Sequence, residues 1–173
     1  QDFYDVIKGD PRFTATVFDM KALKAAGQAD YIEGYQNTGY FLNKFIPRRS
    51  DMRTGGGALE LNYQQNDYII RLADTYLMEA EALGGTGTRA QALLDAVRAR
   101  VGLASVPVSL EAIKAERRLE LAGEGHRFFD LVRWGDAATK LASRGFVAGK
   151  NEIFPIPFRE LQGTKLNQNP KYN

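Results

Sequence analysis

The sequence predicts a mainly α-helical fold in which a helical hairpin follows a long irregular segment and precedes a loop-rich C-terminal region. Three observations predict it. Apolar residues recur at three- and four-residue steps over 67–83 and 89–101, the signature of one buried helix face. Glycines stand just past the end of each periodic run, at Gly84-Gly85, Gly102 and Gly123, where a left-handed C-terminal turn is needed. Pro155 and Pro157 forbid a helix in the tail, because proline lacks the backbone N–H and clashes with the preceding turn.

Residues 1–66 carry scattered apolar residues and read as loops with short strands or single helical turns. Asp10-Pro11 is a turn signal, since the residue before a proline is pushed out of the helical region. Six of the eight tyrosines lie between Tyr31 and Tyr76, and the run from Tyr31 to Phe41 alternates aromatic residues with Gly, Asn and Gln. The glycine triplet 55–57 follows the charged turn 48–51.

The first helix is expected over 67–83, with Ile69, Leu72, Ala73, Tyr76, Leu77, Ala80 and Leu83 as its apolar stripe. Asn66 or Asp67 is its candidate cap. The second helix is expected over 89–101, opened by a capping box of Thr88 and Gln91. The short connection between them predicts antiparallel packing as a hairpin. A third helix is expected over 110–122 with Ser109 as its cap, and a fourth from His126 to Trp134, stopped by Gly135. A further turn or two is expected over 136–142. In the extended tail Ile153, Phe154, Ile156 and Phe158 are expected to tuck back onto the body. The chain is thus read as a loop-rich segment, 1–66, with possible ligand-facing loops, and a helical region, 67–173.

Composition excludes several function classes. The chain has 173 residues, no cysteine and one histidine, His126, so disulfide frameworks, thiol nucleophiles, zinc fingers and histidine-based metal sites are ruled out. No cofactor is expected. The net charge of +2 is too balanced to argue for a nucleic-acid binder. No apolar run is long enough to span a membrane as a helix.

Five features are weighed as candidates for chemistry. Glu116, Glu120 and Glu124 stand four apart on one helical face, and paired carboxylates are what a glycosidase needs. The competing reading is an ion-pair network, with Arg127 and Arg133 as bidentate partners. It is favoured because acids and bases balance five to five between Glu111 and Arg133. His126 has no evident nucleophile or orienting acid and reads as structural. The run 84–88 is glycine-rich but follows a helix, so it is a turn rather than a phosphate loop. Trp134, alone at a helix end, reads as a packing anchor. The aromatic loop has the stronger functional case: Tyr31, Tyr35 and Tyr40 offer ring faces to a sugar or apolar ligand, and neighbouring Asn and Gln offer hydrogen bonds. Packing of those rings into an irregular core is the alternative.

Several segments also resemble the SusD/RagB family in the family's own order. Arg71 to Leu83 is similar to its R-x-A-[DE]-x-x-L-M-x-A-E-A helix, and Leu94 to Gly102 to its L-N-x-V-R-x-R-A-G helix. Glu116 to Gly135 resembles its E-R-R-x-E-L-x-x-E-G-x-R-x-x-D-L-x-R-W-G signature. Ile153 to Pro157 with Gln168 to Tyr172 resembles its L-P-I-P and Q-N-P-G-Y ending, with Lys171 in place of the usual glycine. Asp10-Pro11-Arg12 resembles its D-P-R turn. The resemblance implies a tetratricopeptide-like helical scaffold in which 67–101 is the last helix pair. It implies a non-enzymatic outer-membrane lipoprotein at the cell surface that captures an oligosaccharide or, as in RagB, a peptide. Cargo would pass to a TonB-dependent transporter of the SusC type. Family members are longer and carry a lipidated cysteine at the mature N-terminus, so this chain is expected to be a C-terminal portion lacking that anchor. No ligand contact carries over residue by residue. A helical-repeat adaptor for a protein partner is the rival from another class.

Overall fold

The computed structural model describes residues 2–35, 37–55, 57–58, 61–66 and 68–172. Two compact units follow one another along the chain, Gln1–Glu124 and Gly125–Asn173.

The first unit begins with short elements: α1 (Asp2–Ile7), α2 (Phe13–Thr16), β1 (Val17–Asp19), α3 (Met20–Ala25) and β2 (Tyr40–Leu42). β1 and β2 pair antiparallel, with Val17 opposite Leu42, Phe18 opposite Phe41 and Asp19 opposite Tyr40. The Asp19 carboxylate accepts the Ala22 N–H at 3.0 Å and so caps α3. A single turn at Arg49–Asp51 and a bridge between Met52 and Tyr63 complete this irregular segment, as its composition predicted. Gly56 of the glycine triplet and Gln36 of the aromatic run lie outside the described residues.

Three helices then build the core: α4 (Leu72–Ala82), α5 (Gly87–Ala99) and α6 (Leu110–Glu120). Leu77 and Ala80 of α4, Ala90, Leu93, Leu94 and Val97 of α5, and Ile113 of α6 form one buried cluster. Each fully buried Leu or Ile contributes about 1.5–3 kcal/mol of transfer free energy. Ala80 and Ala90 are fully buried, and their small side chains let the helices approach closely. α4 closes on a left-handed turn in which the Gly85 N–H reaches back to the Ala80 carbonyl at 3.0 Å.

α4 begins at Leu72, five residues later than expected. Arg71 stays extended (φ −131°, ψ 156°), which lets its guanidinium reach the end of α6. Asn66 therefore caps nothing, and Asp67 lies outside the described residues. The buried stripe is narrower than predicted: Ile69 is 91% exposed, and Leu72 and Leu83 are also exposed, while Asp74 is buried with Leu77 and Ala80. α5 starts at Gly87 with no side-chain cap, so the Thr88–Gln91 box does not form. The Gln91 amide instead accepts the Val108 N–H and donates to the Val106 carbonyl, both at 2.8 Å, pinning the strand-like link before α6. Ser109 caps α6 as predicted, its hydroxyl accepting the Ala112 N–H at 3.0 Å.

The second unit holds α7 (His126–Arg133), α8 (Ala137–Lys140) and α9 (Phe158–Leu161). His126 opens α7 after Gly125, whose φ is +83°. The Arg127 and Arg133 guanidiniums stand 6.0 and 5.4 Å from the Trp134 ring centroid. The tail is held by side chains rather than by a sheet. Gln168 pairs with both backbone groups of Ile156 (2.7 and 2.8 Å), and Asn169 donates to the Phe154 carbonyl at 2.6 Å. The Tyr172 hydroxyl donates to the Ile153 carbonyl at 3.0 Å. These bonds explain why the I-F-P-I-P and Q-N-P-K-Y runs occur together. Ile156 is half-buried, and the Phe154 ring, though largely exposed, meets Phe128 and Phe129 of α7 at 5.6 and 6.3 Å; Ile153 and Phe158 remain exposed, contrary to expectation.

Candidate ligand-binding site

The aromatic run begins at Tyr31 in the link between α3 and β2 and ends inside β2, which holds Tyr40 and Phe41. Asn37 shapes it: its amide donates to the Ile32 carbonyl at 2.7 Å, and its side-chain oxygen accepts the Gly39 N–H at 3.1 Å. Gly39 has φ +75°, and a Cβ there would lie 2.5 Å from Lys21 Cγ and 2.7 Å from the Tyr31 hydroxyl, so the loop closes only over glycine.

The three candidate tyrosines have different surroundings. Tyr35 is 94% exposed. Tyr31 is half-buried, meets Phe41 edge-on at 6.2 Å and has the Lys24 ammonium 5.1 Å from its ring centroid. Lys24 is itself paired with Asp30 at 2.9 Å. Tyr40 is stacked on Tyr4 with centroids 4.3 Å apart and an interplanar angle of 29°. A hydrogen bond with Tyr4, with burial second, raises the Tyr40 phenol above its ordinary pKa. The Lys21 ammonium lies 5.4 Å from the Tyr40 ring.

A cavity of about 270 Å³ opens beneath this end of the loop, walled by Phe3, Tyr4, Val17, Tyr40, Phe41 and Leu42. Thr16 and Thr38 also line it, and Gly123, where a Cβ would meet the Leu42 side chain, admits Leu42 there. Tyr4 and Thr16 were not singled out from the sequence. Nothing in local spacing ties Tyr4 to Tyr40, 36 positions away; only the β1–β2 pairing and α1 bring them together.

The glutamate constellation is an ion-pair cluster. Arg12 donates to Glu116 and Glu120, Arg98 to Glu116, and Arg71 to Glu120 and Glu124. Arg100 donates to Glu120 at 2.8 and 2.9 Å, and Lys44 is paired with Glu124. Asp10 holds the other edge of Arg12 at 2.7 Å. Burial alone would raise the Glu120 carboxyl, but hydrogen bonds from Arg71 and Arg12 outweigh it and hold the group below its ordinary pKa. For Lys44 burial wins over the pairing with Glu124 and lowers the ammonium. Lys44 and Arg71 also donate to the Glu120 carbonyl, satisfying an orphan acceptor at the negative end of α6. Within the second unit Arg133 pairs with Asp130 at 2.9 Å, and the Arg127 guanidinium stands 6.0 Å from the Trp134 ring centroid. The glutamates take their partners from the N-terminal segment, from Arg71 before α4, and from Arg98 and Arg100 at the end of α5. Among the described residues no group of His, Cys, Asp and Glu is arranged to hold a metal ion.

The first unit is thus a three-helix scaffold locked by buried ion pairs, with an aromatic run beside a cavity of about 270 Å³. A family model described as "SusD family" matches residues 4–172, and the chain belongs to that family. A SusD-like protein of Formosa agariphila is 37% identical over 120 residues, covering 58% of this chain and 23% of that protein. A SusD-like protein of Bacteroides ovatus is 34% identical over 106 residues, covering 58% of this chain and 19% of that protein. A solved structure described as a laminarin binding SusD-like protein superposes with a TM-score of 0.93 at 70% identity, over 99% of this chain and 37% of that one. Surface glycan-binding protein A from Bacteroides thetaiotaomicron in complex with laminarihexaose superposes with a TM-score of 0.83 at 31% identity, over 96% of this chain and 39% of that one. The mainly α, SusD-like fold expected from the motifs is therefore borne out. The chain spans about a fifth to a quarter of the curated relatives and under half of the solved ones.

Proposed function

We propose that this chain is part of a non-enzymatic protein that captures a neutral glucan of the laminarin type at the outer-membrane surface. The cargo then passes to a TonB-dependent transporter of the SusC type, and a lipid anchor elsewhere in the full-length protein holds it at the membrane. The likeness to a laminarin binding SusD-like protein, at 70% identity over 99% of the chain, carries this reading. The glutamate cluster supports a binding role over hydrolysis: each of Glu116, Glu120 and Glu124 is engaged by arginine or lysine, so none of the three is placed to serve as the acid of a carboxylate pair.

Tyr35, Tyr31 and Tyr40 are the proposed contacts, with exposed Tyr35 offering the freest face. The test is calorimetry of the full-length protein with laminarin. Binding is expected, and Tyr35→Ala should weaken it roughly fivefold, the value of about 1 kcal/mol for one ring contact. Unchanged affinity in Tyr31→Ala and Tyr35→Ala would remove the aromatic loop from the site. Capture of peptides but not glucan would favour the RagB-like alternative.

A further inference from the structure

We propose that Lys24 is a positioning residue for the ring of Tyr31: its ammonium clamps the chain on both sides of that tyrosine, which makes capture of an uncharged glycan sensitive to salt. The inference rests on the glycan reading above and names the group that holds one of its contacts ready.

Lys24 stands in the last turn of α3 and gathers the start of the aromatic run around one ammonium. It pairs with Asp30 at 2.9 Å and with Glu33 at 3.5 Å, so its partners flank Tyr31 on either side. It donates to the Tyr31 carbonyl at 3.5 Å and lies over the Tyr31 ring, 5.1 Å from the centroid. The Asp30 carboxylate in turn accepts the Tyr31 N–H at 2.8 Å. Both backbone polar groups of Tyr31 and its ring are therefore engaged by one ion pair. The pairing is felt in both partners: the hydrogen bond from Lys24 holds the Asp30 carboxyl below its ordinary pKa, and the same bond raises the lysine. No helix or strand supports residues 29–35, so side chains set the path of this stretch.

The clamp also decides which part of the ring is on offer. Lys24 covers one face, Phe41 meets the ring edge-on at 6.2 Å, and a Cβ at Gly39 would lie 2.7 Å from the hydroxyl. A stacking sugar is left the opposite face. A loop already held in its binding shape loses less freedom when the ligand arrives, and affinity gains by that difference. All three charged side chains are exposed, so the clamp is weak and open to screening. The screening length falls from about 30 Å at 0.01 M salt to about 3 Å at 1 M. A neutral glycan has no charge to screen, so salt acts on its capture through the charges of the protein.

The experiment is calorimetry of the full-length protein with laminarihexaose at about 0.01 M and about 1 M sodium chloride. Wild type is compared with Lys24→Met, Asp30→Asn and the double variant. Asparagine keeps an oxygen for the Tyr31 N–H and loses the charge. At low salt Lys24→Met should bind about threefold more weakly, and Asp30→Asn, which leaves Glu33 in place, about twofold. The double variant should be no weaker than Lys24→Met alone, because both changes open one clamp. High salt should bring the wild type down to the affinity of Lys24→Met, whose own binding changes little. Melting temperatures should stay near wild type, since exposed ion pairs add little to stability. Wild-type affinity in Lys24→Met, or equal wild-type affinity at the two salt concentrations, overturns the clamp while the glycan reading stands. A loss in Lys24→Met beside wild-type binding in Asp30→Asn makes the lysine a direct contact and overturns the positioning role. No binding of laminarihexaose or laminarin by the wild type overturns the glycan reading and the clamp with it.

Discussion

Glu120 shows how one side chain organises the first unit. It is almost fully buried and receives three arginines, Arg12, Arg71 and Arg100, from three different parts of the chain. Glu120→Gln keeps the volume but removes the charge, leaving Arg12 buried with less compensation. Breaking a buried pair from one side costs about 3–5 kcal/mol, so chemical denaturation should show a loss of at least about 3 kcal/mol. A loss under 1 kcal/mol would mean that the cluster contributes little. The common face of Glu116 and Glu120 was legible, because a four-residue step on one helix fixes it; Glu124, expected on the same face, lies past the end of α6 in the turn. Their partners were not legible. Arg12 lies 104 positions from Glu116 and 108 from Glu120, and charge balance in a local window cannot reach that far.

At the scale of elements, the junction of α4, α5 and α6 turns on Gly85. Its φ is +65°, and a Cβ there would lie 2.6 Å from the Leu110 backbone nitrogen at the start of α6. Gly84, one residue earlier, has φ +73° but open space around it. The pair separates two costs. Gly84→Ala should lose only the left-handed strain, about 1 kcal/mol, while Gly85→Ala adds a backbone displacement and should lose at least about 2 kcal/mol. Equal melting temperatures for the two variants would refute the close approach of the turn to α6. Helix existence and the glycine stops were readable from periodicity, and Ser109 from its type. The starts of α4 and α5 were not, because tertiary bonds overrode local ones: Arg71 stays extended to reach Glu124, and Gln91 leaves the capping box to hold Val106 and Val108. In the aromatic loop, composition pointed to the tyrosines. Their differing surroundings depend on contacts made by the folded chain: Tyr4 of α1, 36 positions away, stacks on Tyr40, and Phe41 of β2 meets Tyr31 edge-on.

On the scale of the whole first unit, the ion cluster fastens the irregular N-terminal segment to the helices. Arg12 and Lys44 belong to that segment, Arg71 precedes α4, and all three close on carboxylates of α6 and its C-terminal turn. The attachment is therefore sensitive to acid. Asp10 is held below its ordinary value of 3.8, first by its hydrogen bond from Arg12 against the opposing effect of burial. Glu120 is held below 4.5, where burial opposes and the hydrogen bonds from Arg71 and Arg12 prevail. In both cases the unfolded chain takes up a proton at a higher pH than the folded one. The stabilisation is complete above about pH 5 and is lost as pH falls through the ordinary values and on to the folded ones. Melting temperature should stay level from pH 7 to 5 and fall between pH 4.5 and 3. Because the pairs are buried, added salt should change the neutral-pH melting temperature little. Limited proteolysis over the same range should cut first within residues 1–66, as the segment is released from α6. A melting temperature that stays flat down to pH 3 would show that the carboxylates are not what holds the segment in place.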